Sequence, residues 1–299
     1  MKRKRRKRNR AAGTFDKFMV ADPPCPSSFL KEMGYVYLKN KIPRSICKDL
    51  KQCIKADVDK LIERTGVQEQ PLEFMSEETA QKMEALEKYI VKNLLKPTFN
   101  KRARVPSTWS ETAYGRVKKQ NSYTGPHCDA LNTILERQLL KDVSDLEGFS
   151  KSIDWSSGNP IETVLTSMPY APIEECLPIY TIWVPLHNLC TFDASHLRVE
   201  PLSQLFYDIH VKRHKTTNRP TKVRSSDSNL HFLSPEEPYG AGDVVIFHCL
   251  TQHDASCHKP GKGKTNCGMG DRVSFDMRVL MDIATKEVDG IHGGRCVCI

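Results

Sequence analysis

Residues 240–256 read GAGDVVIFHCLTQHDAS. Glycine and aspartate at 240–243 favour a turn, and the β-branched and aromatic residues Val244–Phe247 favour a buried strand. Two histidines follow, His248 directly after the apolar run and His253 five residues later. His248 continues the apolar run and is expected to be a packed core histidine, so His253 is the stronger candidate for chemistry.

Strand-like runs of this kind recur through the second half of the chain. They lie at Thr112–Lys119, Gln120–Asp129, Ile179–Leu186, His196–Pro201, Asp243–Cys249 and Arg272–Met281. Short strands at irregular spacing, with turn residues between them, favour a sandwich or a jelly roll. We therefore predict a mainly β core.

The first third of the chain is predicted to supply flanking helices. Tyr35–Leu38 favours a strand, whereas a helix capped by Ser45 and running to about residue 64 is expected from apolar residues at helical spacing. A second helix is predicted to start at Ser76 and to end before Pro97. The expected fold class is α+β, with helices that serve as packing walls.

The net charge of +9 is concentrated at the start of the chain. Residues 1–10, MKRKRRKRNR, contain eight Lys/Arg and no acid, which leaves +1 for residues 11–299. A segment this charged, with no apolar residue between Met1 and Ala11, cannot pack a core, so we predict a disordered basic tail over 1–12. The rest of the protein is nearly neutral.

A single domain is predicted for residues 13–299. Its parts are a helical and strand region at 13–110 and a jelly-roll core at 111–285, with insertions at 135–176 and 202–240. No apolar run reaches the 18 residues of a spanning helix. Eleven cysteines without a regular framework, and no secretory signal, favour free thiols in an intracellular compartment.

His127 and Asp129 lie in the segment SYTGPHCDALN. On a strand, residues i and i+2 share a face about 6.6 Å apart, so an imidazole and a carboxylate there can bind one divalent metal. With His253 they supply two histidines and one carboxylate, which is the facial triad of non-haem Fe(II) oxygenases. We predict that these three residues are the metal ligands and form the catalytic site.

Arg272, Ser274 and Arg278 share one strand face in the segment RVSFDMR. A guanidinium binds a carboxylate through two hydrogen bonds, and a hydroxyl two residues further on can add a third. That arrangement suits a dicarboxylate co-substrate, provided that this face points inward. Valine and phenylalanine fill the opposite face, so two surface arginines are the alternative that the pattern leaves open.

Taken together, the motifs resemble the Fe(II)/2-oxoglutarate-dependent dioxygenase superfamily, and within it the phytanoyl-CoA dioxygenase-like group. The similar features appear in family order over about residues 29–282. They are GYVYL at 34–38, His127-x-Asp129, YTIWVPL at 180–186, HLRVEPLS at 196–203, GDVVIFH at 242–248 leading to His253, and Arg272-x-Ser274. The segment RVSFDMR is also similar to the arginine strand of nucleic-acid demethylases in this superfamily.

The resemblance implies a double-stranded β-helix, a distorted cupin-like jelly roll. It implies an enzyme that uses Fe(II), 2-oxoglutarate and O2 to hydroxylate an unidentified substrate, with release of succinate and CO2. It further implies that Arg272 binds the distal carboxylate of 2-oxoglutarate and that Ser274 assists. Arg278 is a further candidate, although six residues along a strand span about 20 Å, so both arginines reach one small molecule only by leaning together.

Two alternatives concern what the protein binds. The tail at residues 2–10 and a second basic cluster at 212–224 could bring a demethylase or hydroxylase of the same superfamily to nucleic acid or chromatin. The tail also predicts nuclear or nucleolar localisation, or an import-receptor contact, and the protein is otherwise expected to be cytoplasmic. The cluster at 212–224 could instead be a solvated loop, and the whole protein a non-catalytic jelly-roll binding protein.

Two further alternatives concern the cysteines. A zinc module could be drawn from Cys249, Cys257, Cys267, His248 and His258, but these residues contain no Cys-x-x-Cys pair. The last four residues, Cys-Val-Cys-Ile at 296–299, formally match the prenylation pattern, although isoleucine is not a typical last residue.

Overall fold

The structure is a computed structural model. It describes residues 18–65, 76–99, 103–104, 114–118, 124–129, 179–189, 196–203, 209–213, 220–225, 232–256 and 272–281. The predicted tail at 1–12, the insertion at 135–176 and the C-terminal cysteines lie outside these residues.

Antiparallel strands form the core of the described chain. They are β1 (Tyr35–Leu38), β2 (Ala103–Arg104), β3 (Tyr114–Lys118), β4 (Thr124–His127), β5 (Ile179–Pro185), β6 (His196–Val199), β7 (Ile209–Arg213), β8 (Pro220–Ser225), β9 (Val244–His248), β10 (His253–Ser256) and β11 (Arg272–Met281). The larger sheet has the order β1-β9-β5-β11-β2, and β3 also pairs with β11. The smaller sheet has the order β4-β10-β6, and β7 pairs with β8 in a separate ribbon.

Helices precede most of the strands in sequence. They are α1 (Pro26–Met33), α2 (Arg44–Thr65), α3 (Glu77–Tyr89), a π-helical segment (Ile90–Leu95) and α4 (Lys96–Phe99). Helix α1 starts with proline in its first turn and ends at Gly34, whose left-handed φ of 78° lets its N–H donate to the Leu30 carbonyl. Helix α3 is capped by Ser76, whose hydroxyl accepts from the Thr79 N–H.

The larger sheet is covered on both faces. One face packs against the helices through alternate residues of β5, β9 and β11, among them Ile182, Ile246 and Phe275. The other face, with Trp183 and Phe247, packs against Leu197 and Val199 of the smaller sheet and against Leu233 and Tyr239. Side chains that lie between the two sheets are therefore shielded by protein on two sides.

A turn before β9 fixes that strand against β1. Gly242 has a φ of 88°, and a Cβ there would overlap the Ile42 carbonyl oxygen, so only glycine fits. Next to it, one Asp243 carboxylate oxygen accepts from the Tyr37 hydroxyl at 2.8 Å, and the other accepts from the Asn40 N–H at 2.9 Å. The predicted turn is thus a hydrogen-bonded anchor for the strand that leads towards His253.

The predicted mixture of antiparallel β structure and flanking helices is confirmed, but some details were wrong. Helix α2 begins at Arg44, so Ser45 lies in its first turn and does not cap it. The second helix does not end before Pro97, because a π-helical turn, in which the Lys96 N–H donates to the Val91 carbonyl, carries the chain on into α4.

Some strands were not predicted at all. No separate strand was predicted for β10, which carries His253, or for β2. The basic cluster at 212–224 was considered as a solvated loop, whereas its described residues belong to β7 and β8. These strands are short or polar, so they lack the apolar alternation on which strand prediction depends.

Candidate metal centre

Strand pairing in the smaller sheet brings the two candidate histidines together. His253 of β10 lies directly opposite His127 of β4 on one side and opposite Val199 of β6 on the other. Residues directly opposite each other on paired strands share a face. Val199 belongs to the core between the sheets, so both histidines lie on the inner face, and their ring centroids are 4.2 Å apart.

Asp129 follows β4 and completes the group. Its Oδ1 lies 3.5 Å from His253 Nε2 and 4.0 Å from His127 Nε2. One ligand atom from each of the three residues lies within 4.8 Å of the others. Among the described residues this is the one group of three or more His, Cys, Asp or Glu side chains placed to hold a metal ion.

The orientation of His253 suits a metal ligand. Its Nδ1 lies 3.0 Å from the Thr251 carbonyl oxygen, which can only accept, so Nδ1 donates there and Nε2 is the ring nitrogen that faces Asp129. A ring nitrogen that donates to a carbonyl is the usual support of a ligating imidazole. Phe247 covers the ring, with centroids 4.5 Å apart.

Asp129 is held by two residues of the larger sheet. Thr181 donates its hydroxyl to Asp129 Oδ2 at 2.7 Å, and Arg278 Nη2 lies 3.0 Å from the same oxygen. Burial alone would raise the pKa of this carboxyl. The positive charge of Arg278, with the two histidines, reverses that effect and holds the pKa of Asp129 well below its ordinary value. The carboxylate is therefore ionised and ready to bind a cation.

The structure decides which face of β11 points inward. Val273 and Phe275 pack on the helices, so Arg272, Ser274, Asp276 and Arg278 lie on the face towards the smaller sheet. All four are buried, and the alternative of two surface arginines is wrong.

Arg272 and Arg278 have different surroundings on that face. The Arg272 guanidinium lies 5.7 Å from the centre of the Trp183 ring, six residues along the strand from Arg278. The Arg278 guanidinium contacts two carboxylates, Asp129 and Asp276, the second through Nη1 at 3.1 Å. Both of these contacts of Arg278 are with carboxylates of the protein, and one of them belongs to the candidate metal-binding group.

Ser274 lies fully buried between the two arginines in sequence. Its hydroxyl has no hydrogen-bond partner among the described residues. A buried polar atom of this kind is costly unless something else satisfies it. A bound anion could accept a hydrogen bond from this hydroxyl.

His248 is a core residue, as expected from the sequence. Its ring packs edge-on against Tyr180 at 5.2 Å, and its Nδ1 accepts from the Leu250 N–H at 3.2 Å. It shares strand parity with Ile246, which packs on the helices, and so lies on the opposite face of the sheet from Phe247. Of the proposed zinc module, Cys257, Cys267 and His258 lie outside the described residues.

Two functional residues were missed from the sequence. Asp276 stands on the same strand face as both arginines, and an acid between them was a readable signal of an internal ion pair. Thr181 sits between apolar residues of β5, and its role depends on pairing opposite Arg278, which the sequence of one strand does not reveal.

Comparison with known proteins gives structural similarities only. No protein-family model matches the chain, and no curated protein matches it. One similar solved structure is the non-heme alpha ketoglutarate dependent epimerase SnoN from nogalamycin biosynthesis. It is 14% identical, covers 86% of this chain and 82% of its own, and has a TM-score of 0.44. Another SnoN structure contains Fe3+ and alpha ketoglutarate together with nogalamycin RO.

Two other similar structures carry related names. The non-heme monooxygenase ThoJ is 10% identical, covers 85% of this chain and 76% of its own, and has a TM-score of 0.48. A variant of the iron and alpha-ketoglutarate-dependent endoperoxidase NvfI is 16% identical, covers 88% of this chain and 84% of its own, and has a TM-score of 0.48. Separately, among the described residues no helix is both long and apolar enough to cross a membrane.

Proposed function

We propose that this protein is an Fe(II)- and 2-oxoglutarate-dependent dioxygenase that hydroxylates a substrate still to be identified. The observation that carries the proposal is the convergence of His127, Asp129 and His253 on the inner face, within 4.8 Å of one another. The proposal includes the finer details expected from the sequence, namely a double-stranded β-helix core and membership of the phytanoyl-CoA dioxygenase-like group.

The donor set fits an iron ion. Two ligands at right angles around an ion about 2.1 Å from each are about 3 Å apart. Asp129 Oδ1 lies 3.5 Å from His253 Nε2 and 4.0 Å from His127 Nε2. Shortening each of these distances by about 1 Å or less would give the spacing that a shared ion requires. Two imidazoles and one carboxylate on one side of the ion are the ligands of non-haem Fe(II) oxygenases.

The inner face of β11 fits 2-oxoglutarate. Arg272 would bind the distal carboxylate, and the buried Ser274 hydroxyl would donate a hydrogen bond to it, which satisfies an atom that otherwise has no partner in the described chain. Trp183 lies beside the Arg272 guanidinium and restricts its orientation. With both groups bound, the iron and 2-oxoglutarate would supply the activation of O2, yielding succinate, CO2 and a hydroxylated substrate.

The residues of the chain have simple roles in this scheme. His127, Asp129 and His253 would hold the ion. Arg272 orients the co-substrate by its distal end. The aromatic side chain of Phe247 and the packing of the two sheets shield His253 and Asp129 from water, which strengthens the ionic contacts of Asp129.

Succinate formation tests the proposal. Purified protein is incubated with Fe(II), 2-oxoglutarate, O2 and a library of candidate substrates, and succinate is measured. We expect metal-dependent succinate release that Asp129→Ala abolishes. Asp49→Ala, the same change at an exposed position of α2, should leave it intact. Equal release by wild type and Asp129→Ala would overturn the assignment.

A second test isolates the co-substrate site. Arg272→Ala should weaken 2-oxoglutarate binding in an anaerobic titration with Mn(II) in place of Fe(II), while the metal affinity stays near that of wild type. Arg44→Ala, at an exposed position where α2 begins, is the matched control. Retention of wild-type 2-oxoglutarate affinity by Arg272→Ala would move the co-substrate elsewhere in the site.

The ribbon favours a second candidate, an oxidative demethylase or hydroxylase that acts on nucleic acid or chromatin in the nucleus. In the pairing of β7 with β8, Lys212 lies opposite Lys222, and His210 lies opposite Arg224. The ribbon thus carries basic residues at paired positions, and β8 runs close to β4, the strand that ends at His127. Basic residues near the metal ligands, together with the basic tail, suit a phosphate-bearing substrate.

Salt dependence separates this candidate from a small-molecule enzyme. Binding of a single-stranded oligonucleotide should weaken steeply with salt, with a log–log slope of about −0.7 for each phosphate contact. The double substitution Lys212→Glu and Lys222→Glu should make this slope shallower, whereas Lys48→Glu on the exposed side of α2 should leave it unchanged. Deletion of residues 2–10 tests the tail by the same slope and by the position of a fluorescent fusion in cells. No measurable oligonucleotide binding would exclude this candidate.

A further inference from the structure

The two oxygens of the Asp129 carboxylate have different surroundings. Oδ1 faces the two histidines, at 3.5 Å from His253 Nε2 and 4.0 Å from His127 Nε2. Oδ2 points the other way and contacts Thr181 and Arg278, at 2.7 Å and 3.0 Å. A carboxylate oxygen has two lone-pair sites, so these two donors saturate Oδ2.

Strand pairing produces this arrangement. Thr181 of β5 and Arg278 of β11 are directly opposite each other in the larger sheet, and both lie on its inner face. Asp129 lies two residues after β4 of the smaller sheet, so the contact joins the two sheets at the metal ligands. The two donors come from different strands and meet at a single oxygen atom.

Arg278 is itself held in place. Its Nη1 contacts Asp276 Oδ2 at 3.1 Å, two residues earlier on the same strand face, while its Nη2 contacts Asp129. A guanidinium is planar and its donors have fixed directions, so binding at one nitrogen orients the other. Asp276 thereby aims Arg278 at Asp129.

We propose that Thr181 and Arg278 form a clamp that makes Asp129 a one-oxygen ligand, with Asp276 as its support. The inference rests on the proposed function, because it requires a metal ion at Asp129. A carboxylate that uses both oxygens would occupy two positions on the ion, whereas the clamp reserves Oδ2 for the protein. Thr181, Arg278 and Asp276 are positioning residues in this scheme.

This assignment changes the role of Arg278. The sequence made it a candidate ligand of 2-oxoglutarate, yet both contacting nitrogens of its guanidinium are directed at carboxylates of the protein. The positive charge of Arg278 is already shared by two buried carboxylates, Asp129 and Asp276, so it attracts a further anion less strongly. The clamp therefore leaves the distal carboxylate to Arg272 and Ser274.

Metal binding without co-substrate tests the clamp. Co(II) affinity is measured by calorimetry, and its visible spectrum reports the coordination number, in the absence of 2-oxoglutarate and substrate. Thr181→Val keeps the shape of the side chain but removes the donor, and is expected to weaken Co(II) binding by about 10- to 100-fold and to change the spectrum. Thr181→Ser retains the hydroxyl and should restore both properties.

Two further variants sharpen the result. Asp276→Asn removes the charge that supports Arg278 and should weaken Co(II) binding less than Thr181→Val. Thr79→Val is the matched control, since Thr79 is a buried threonine whose side chain hydrogen bonds to a different carboxylate, Asp57, in the helical layer. It is expected to change stability and to leave metal affinity unchanged.

The outcomes separate the two proposals. If the wild type binds no divalent ion at His127, Asp129 and His253, the proposed function fails. If the wild type binds Co(II) and Thr181→Val binds it equally or more tightly with the same spectrum, the function stands and the clamp is overturned. Thermal unfolding of each metal-free variant shows whether a loss of binding reflects a loss of fold.

Discussion

The buried hydroxyl of Ser274 gives a prediction in which stability and ligand affinity move in opposite directions. Its oxygen is buried and has no hydrogen-bond partner in the described chain. A buried hydroxyl without a partner costs about 1 to 3 kcal/mol. Ser274→Ala removes this cost, so the free energy of unfolding of the metal-free protein should rise by about 1 to 2 kcal/mol.

The same substitution should weaken 2-oxoglutarate binding. A hydrogen bond to a charged group contributes about 1.5 to 3 kcal/mol, which corresponds to a loss of about 10- to 100-fold in affinity. Urea denaturation measures the first effect. Calorimetric titration of 2-oxoglutarate into the Mn(II)-loaded protein under nitrogen measures the second.

Ser203 provides the matched control. Its buried hydroxyl donates to the Glu200 carbonyl at 2.7 Å and accepts from the Gln252 N–H at 2.8 Å. Ser203→Ala leaves both groups unsatisfied, so it should lower the free energy of unfolding by about 1 to 3 kcal/mol and leave co-substrate affinity unchanged. If Ser274→Ala destabilises the protein as Ser203→Ala does, or binds 2-oxoglutarate as tightly as wild type, the reasoning about Ser274 is refuted.

Two more predictions concern stability. Tyr37→Phe removes the 2.8 Å hydrogen bond to the buried Asp243 carboxylate, so the free energy of unfolding measured by urea denaturation should fall by about 1.5 to 3 kcal/mol. An unchanged free energy of unfolding would mean that this turn does not anchor β9. Burial of Glu87, and to a lesser extent the neighbouring Glu84 carboxylate, raises the pKa of Glu87 to about 7. The resulting contribution to the free energy of unfolding is fully present below pH 4.5, where the carboxyl group is neutral, and is lost as the pH rises through 7. Glu87→Gln should remove this pH dependence and raise the free energy of unfolding at pH 8 by no more than about 3 kcal/mol. Parallel curves of stability against pH for wild type and variant would contradict the raised pKa of Glu87.

The grouping of His127, Asp129 and His253 was predictable from the sequence because the signals for these residues are local. His127 and Asp129 are two residues apart, and His253 follows a turn and an apolar strand that are both legible in the sequence. In the structure, one ligand atom from each of these three residues lies within 4.8 Å of the others. His248 was the competing candidate, and its position directly after the apolar strand favoured a core histidine, which is where the structure places it.

The surroundings of Asp129 were not predictable because they depend on long-range pairing. Thr181 contacts Asp129 across 52 residues of sequence, and its place opposite Arg278 follows from the register of two strands far apart in the chain. The face of β11 was ambiguous for a related reason. A strand covered on both sides shows no contrast between buried and exposed positions, and in β11 the inner face is charged because it meets a site.

Strand β11 has a consequence for how this protein tolerates substitution. Val273, Phe275 and Met277 sit at 1% exposure or less on the helical side, while Arg272 and Arg278 are 5% and 4% exposed on the other. A substitution on the first side makes a cavity or a clash, and one on the second alters the ion pairs around the metal ligands. The strand thus has almost no position where a substitution leaves its surroundings unchanged.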